Sequence, residues 1–204
     1  IFSTSYGKEN TALGYQALLS NKSGSSNTAI GFQAMMNAND NANSNTSLET
    51  SNTAIGYQAL MGSATPASNT GTRNTAIGYQ ALKANTTGNY NIATGYNALI
   101  INTTGSYNVA TGYNALINNT TGSSNTATGY TLYSNTTGSY NTAYGLFAIA
   151  SNSTGNYNTA IGYSADITGN VSNSMALGYG ASTGVANAIQ LGNASVAKVN
   201  TSGA

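Results

Sequence analysis

Residues 102–130 read NTTGSYNVATGYNALINNTTGSSNTATGY, nearly the same 17-residue phrase twice over. A period this short is the mark of a solenoid, in which each coil packs only on its neighbours; propellers and helical repeats need longer units. Extending the alignment on the Ala-x-Gly triplet, or its equivalent, places Gly14, Gly31, Gly56, Gly78, Gly95, Gly112, Gly129, Gly145, Gly162, Gly178 and Gly192 in one column. The spacings are 17, 25, 22, 17, 17, 17, 16, 17, 16 and 14 residues. Each unit runs Asn-Thr-Ala-x-Gly-Tyr-x-Ala-Leu and then a polar segment of Asn, Thr, Ser and Gly. Short alternating segments bounded by Gly and Asn favour strands and tight turns, and a Gly in every unit interrupts any helix. The fold class predicted is all-β: a parallel β-solenoid with one coil per roughly 17-residue repeat.

Agreement among repeats of one chain assigns positions within the coil. Ala stands two residues before the Gly in ten registers, Ala12 to Ala176, which predicts a site that admits only a methyl group. The residue between them varies among Leu, Ile, Thr and Tyr and, by strand alternation, faces the other way. The Gly is expected to supply a positive φ at a corner. An aromatic row follows it, including Phe32, Tyr79, Tyr96, Tyr113 and Tyr130, and an Asn row, including Asn74, Asn91 and Asn108, opens each unit. The amides are expected to pair along the axis or to satisfy turn backbone groups.

Two insertions, 37–51 and 62–73, interrupt the rhythm at the same place in the unit. They carry Asp40, Glu49, Arg73 and the sole proline, Pro66, and are expected to emerge from one face as solvated loops or as a ligand-contacting protrusion.

Composition excludes several classes. Charged residues make up 4% of the chain and the net charge is +1, which leaves no basic field for nucleic acid and no polybasic patch for an anionic membrane. No apolar run reaches the length of a membrane span. Fifteen Tyr and three Phe argue against disorder. With no His, no Cys and four scattered acids, neither a Ser-His-Asp constellation nor a His/Cys metal site can be built, so no catalytic residue, metal or cofactor is expected. The sequons at Asn21, Asn85, Asn102, Asn119 and Asn135 read as turns. The opening at Ile1, without Met or a leader-like segment, is expected of a piece of a longer protein.

Toward the C-terminus the sequence changes to SMALGYGASTGVANAIQLGNASVAKVNTSG, 174–203. Its rhythm, Ala176-Leu177-Gly178-Tyr179-Gly180-Ala181 followed 14 residues later by Ile189-Gln190-Leu191-Gly192, resembles the head repeats of YadA-type trimeric autotransporter adhesins and the shafts of bacteriophage tail fibres. In many tail fibres the ANAIQLGNASVAKVNTSG-like segment precedes an endosialidase-type chaperone domain. The Ala-x-Gly core extends the resemblance over nearly the whole chain, with three extra residues per unit in the NTTG turn. It implies a left-handed β-roll of two-strand coils, three chains to a fibre. A repeat region 1–173 is then followed by a 14-residue-type coil and fibre neck, 174–204. A thin coil with few large apolar residues also argues for a core shared in a homotrimer.

These readings lead to a non-enzymatic fibre module of a receptor-binding appendage, either phage tail fibre or bacterial surface adhesin, that acts outside the cell on a surface glycan or receptor. Candidate contacts are Tyr79, Tyr96, Tyr113 and Tyr130, whose rings offer apolar faces with a polar tip, together with Asp40, Glu49 and Arg73. The Tyr row alternatively packs as a ladder within or between chains. Two other functions fit. One is an ice-binding solenoid using the column Thr94, Thr111 and Thr128, against which stand the Ile and Tyr that interrupt it. The other is a self-assembling filament without a ligand.

Overall fold

The triplet before each Gly forms a strand in every repeat. A computed structural model of the chain describes residues 6–38, 47–65 and 68–195. Eleven three-residue strands, from Thr11–Leu13 through Ile92–Thr94 and Val109–Thr111 to Ile189–Leu191, lie side by side in one parallel sheet. Successive repeats are neighbours throughout, so the chain is a parallel β-solenoid. No α-helix occurs among the described residues. The register sets Ala on Ala from coil to coil, as in Ala93 on Ala110 and Ala110 on Ala127, and departs from this at the last step, where Ala176 meets Gln190. The sheet continues across residue 173 without a break.

Strand length follows from the Gly. At Gly95 φ is +135°, a conformation that side-chain-bearing residues rarely adopt, and a Cβ there would fall on the carbonyl of Gly112 in the next coil. The strand therefore ends in a corner where two backbones touch. After the corner the hydrogen bonds still run between coils: Asn114 N–H donates to Tyr96 O at 2.9 Å and Leu99 N–H to Ala115 O at 3.0 Å. These bonds hold a conformation that the sequence does not announce. Asn97 and Leu99, separated by Ala98, both have positive φ, at 54° and 53°, and the same pair recurs at Gln80 and Leu82 and at Asn114 and Leu116. Leu in this region is strained in isolation; the intercoil ladder over-determines it here.

Among the described residues, the second strand that the resemblance implies is present only as two short ladders, Gly24–Ser25 with Leu48–Glu49 and Asp166–Ile167 with Ser182–Thr183. Elsewhere the polar half of the coil is made of turns.

The interior is a set of columns. Ala110, Ala115 and Leu116 are completely buried and most of their equivalents are buried too, while Ala12 in the first coil is half-buried. Two Asn columns fill the rest. Asn108 donates its amide to Gly122 O at 2.8 Å, and its Oδ1 accepts from Asn125 N–H at 3.0 Å, which passes the pattern to the next coil. In the second column Asn102 donates to Gly105 O and to Asn85 Oδ1, each at 3.0 Å. A single chain thus encloses a thin core in which satisfied amides take the place of large apolar side chains. The sequon residues Asn21, Asn85, Asn102, Asn119 and Asn135 belong to this buried column, so their amides are inside the turns rather than open to a glycan.

The insertions are shorter in space than in sequence. Leu48 N–H bonds to Ser23 O at 2.8 Å and Gly71 N–H to Thr86 O at 2.9 Å, placing the downstream end of each insertion in the regular coil. Asn69 bridges back to Asn37 O at 2.7 Å. Asp40 and Pro66 lie outside the described residues, so the direction in which the two loops emerge does too.

Candidate recognition surface

The aromatic row after the corner Gly is a ladder on the outside of the rod. Phe32 and Tyr57, Tyr57 and Tyr79, and Tyr79 and Tyr96 stack with ring centroids 5.1, 5.1 and 4.9 Å apart and planes within 7° of parallel. Tyr15 extends the stack at one end and Tyr113 at the other, at 5.4 Å in each case. Of the alternatives set by the sequence, the packed ladder is formed within one chain, on its exposed side. Each ring covers its neighbours' faces, while the row as a whole stays exposed. What an interior ring offers a partner is its edge and hydroxyl.

The ladder opens at Tyr130. Between Gly129 and Gly145 the spacing drops to 16 residues, and the residue lost is the one after the aromatic, so Thr131 stands where other coils have Ala. Tyr130 turns 54° from Tyr113 at 6.0 Å and makes tilted or edge contacts with Tyr133 and Phe147. Loss of solvation, then the neighbouring Tyr133 and Tyr113, push the Tyr130 phenol above its ordinary value. Tyr113, 60% exposed, has no parallel ring on this side. The step in the ladder is where an aromatic face meets solvent.

A second aromatic row was not singled out from the sequence. Tyr90 and Tyr107 stack at 5.0 Å and Tyr140 and Tyr157 at 4.8 Å, directly before the Asn that opens the coil. The Tyr of "GNYN" and "GSYN" at the unit spacing was the available signal. Arg73 occupies the same row: its guanidinium donates to the Tyr90 hydroxyl at 2.9 Å and sits 5.3 Å from the ring centroid. Glu49 lies on the preceding coil. The Ser51 hydroxyl, 2.6 Å from it, then Ser26 and finally Arg73 hold its carboxyl below the usual range, burial opposing weakly. Of the seven candidates, then, Tyr79, Tyr96, Tyr113 and Tyr130 form one row. Glu49 and Arg73 approach the other, beyond the strand, and Asp40 is outside the described residues.

The row beside the first ladder is made of amides. Gln33 donates to Gln16 at 2.7 Å, Gln58 to Gln33 at 2.8 Å and Gln80 to Gln58 at 2.9 Å; at Asn97 the shorter side chain ends the chain of bonds, leaving its Oδ1 buried without a partner. Next to the second insertion Met61, Ala64, Lys83, Ile100 and Ile101 line an open groove of about 510 Å³. Among the described residues no three His, Cys, Asp or Glu side chains gather where they would hold a metal ion. No helix among them is long and apolar enough to cross a membrane. Comparison of the chain with protein-family models, with curated proteins and with solved structures finds no match.

Proposed function

We propose that this chain is a structural fibre module of an extracellular receptor-binding appendage, a phage tail fibre or a bacterial surface adhesin, and that it attaches to a cell-surface glycan or receptor without catalysing a reaction. The observation that carries the reading is the exposed aromatic ladder running along an almost uncharged rod and breaking open at Tyr113 and Tyr130. Sugars present apolar C–H faces and hydroxyl rims, which suit a free ring face beside phenol hydroxyls. Low charge removes long-range attraction to nucleic acid or to an anionic membrane and leaves short-range contacts to select the partner. In the fibre, three copies run side by side, as the resemblance to trimeric adhesins implies.

The test is attachment of the fluorescently labelled chain to bacterial cells and to an array of bacterial surface polysaccharides. Binding that Tyr113→Ala abolishes while the melt stays cooperative supports the reading. Absence of binding to every surface, or binding indifferent to Tyr113→Ala and Tyr130→Ala, sinks it. Sedimentation equilibrium reads the trimer directly.

A further inference from the structure

The strand face between the two aromatic rows carries a second pattern, independent of the attachment reading. Each triplet sends its middle residue inward and its outer two outward. In nine consecutive coils, from Thr11–Leu13 to Thr159–Ile161, at least one of the two outward residues is Thr. The other is Leu, Ile, Val, Thr or Tyr. Where the column Thr28, Thr53 and Thr75 changes to Ile92 and Val109, the opposite column changes from Ile30, Ile55 and Ile77 to Thr94 and Thr111. The interruptions that weaken a single Thr column are thus compensated across the strand, and no outward position of the sheet is charged.

Three further facts bear on what such a face can bind. Its hydroxyls are free: the backbones of Thr94, Thr111, Thr126 and Thr128 bond to neighbouring coils, while their side-chain hydroxyls make no hydrogen bond with a described residue. On the turn side, by contrast, Thr86, Thr103 and Thr120 spend theirs on the carbonyl of the next coil at 2.9 to 3.1 Å. The face is also in strict register. Outward residues pair with outward residues at every step, from Thr11 on Thr28 and Leu13 on Ile30 to Thr142 on Thr159 and Tyr144 on Ile161. Finally it is periodic in two directions, by about 4.8 Å between strands and about 6.8 Å between the outward residues of one strand.

We propose that this face binds ice. A crystal face of ice offers a rigid two-dimensional oxygen lattice whose repeats are comparable to these spacings, and adsorption to it needs many weak contacts that all fit at once. Free Thr hydroxyls join the lattice as donors or acceptors, and Thr, Ile and Val methyl groups fill the hollows between ordered waters. A charge would oppose this by retaining its own hydration shell; the face has none.

The experiment is recrystallisation of ice grains in a frozen sucrose film containing the 204-residue chain, with thermal hysteresis as a second readout. Variants are Thr111→Lys and Thr128→Lys on the sheet face and Thr104→Lys on the exposed turn face, each checked by its thermal melt. The expected result is that the chain and Thr104→Lys hold grain size constant while both sheet-face variants lose most of that activity. Grain growth at the buffer rate with the unmodified chain overturns the proposal, as does equal loss in Thr104→Lys. Because Tyr113 is untouched in all three variants, cell attachment stays a separate measurement.

Discussion

Asn108 and Asn91, 17 residues apart in sequence, are joined twice: the backbone N–H of Asn108 donates to Asn91 Oδ1 at 3.0 Å and its side-chain amide donates to the same oxygen at 3.2 Å. The same oxygen therefore serves both the backbone and the side chain of the next coil, and the column repeats along the rod. Replacing Asn108 by Ala takes the acceptor from Asn125 N–H and its side-chain amide, and one of two donors from Gly122 O, which keeps the Asn119 amide. We expect a loss of about 2–4 kcal/mol, from buried groups left unsatisfied, read by denaturant unfolding. Asn108→Asp adds a pH dependence. A buried carboxylate facing acceptor oxygens has its folded pKa raised, so the variant is most stable below the unfolded value of about 3.9 and loses stability as pH rises from there through the raised folded value. A flat profile from pH 3 to 7, roughly the span either side of that value, would show that the column tolerates an acceptor-only side chain.

Ala110 has no accessible surface and stands between Ala93 and Ala127 in register. Ala110→Leu overpacks the coil and is expected to cost about 1–3 kcal/mol. Deleting 39–46, residues outside those described, restores the 17-residue spacing between Gly31 and Gly56. It should leave the melt nearly unchanged, because the coil is closed on both sides by Asn37 N–H to Met61 O and Leu48 N–H to Ser23 O. The reverse outcome, a tolerated Leu with a collapsed deletion, would exchange core and loop.

Two glycines separate strain from contact. At Gly95 an added methyl meets both an unfavourable φ and the Gly112 carbonyl; at Gly169, with φ of +73°, nothing lies within 4 Å. Gly95→Ala is expected to cost about 2–5 kcal/mol and Gly169→Ala about 1 kcal/mol. Equal costs, measured by chemical denaturation, would mean that the close approach of the corners contributes nothing.

Tyr130 makes the ladder step visible to pH. Its phenol is raised in the folded state, so its contribution is intact below the unfolded value of about 10 and is lost as pH rises from there through the raised folded value. Tyr130→Phe should remove the latest-ionising component of the ultraviolet phenolate titration and make alkaline unfolding shallower. An unchanged titration would place Tyr130 in ordinary solvent.

Much of the architecture was legible before any coordinates. The constant Ala at 110 and its equivalents announced a methyl-sized slot, and that slot is closed. The aromatic row announced a ladder, and its rings stack from Tyr15 to Tyr113. The positive φ of Leu99 was not legible, since Leu has no local reason to adopt it; burial of its side chain and the bond from Leu99 N–H to Ala115 O in the next coil hold it there. The role of the charged candidates was equally hidden. Glu49 and Arg73 lie 24 residues apart in sequence, and nothing local indicates that the guanidinium settles over Tyr90.

By itself the sequence determined the repeat, its strand and corner, and the parallel stacking of like on like, because a short period leaves each coil no partner but its neighbours. Tertiary structure alone decided how a thin interior is filled, which hydroxyls remain free and where the aromatic ladder opens. Those outcomes depend on whether a side chain reaches its equivalent in the next coil: Gln80 reaches Gln58, Asn97 ends the chain of bonds, and the missing residue after Tyr130 turns a ring out of its stack. Such reach is a property of neighbouring coils in space, and composition within one coil does not contain it.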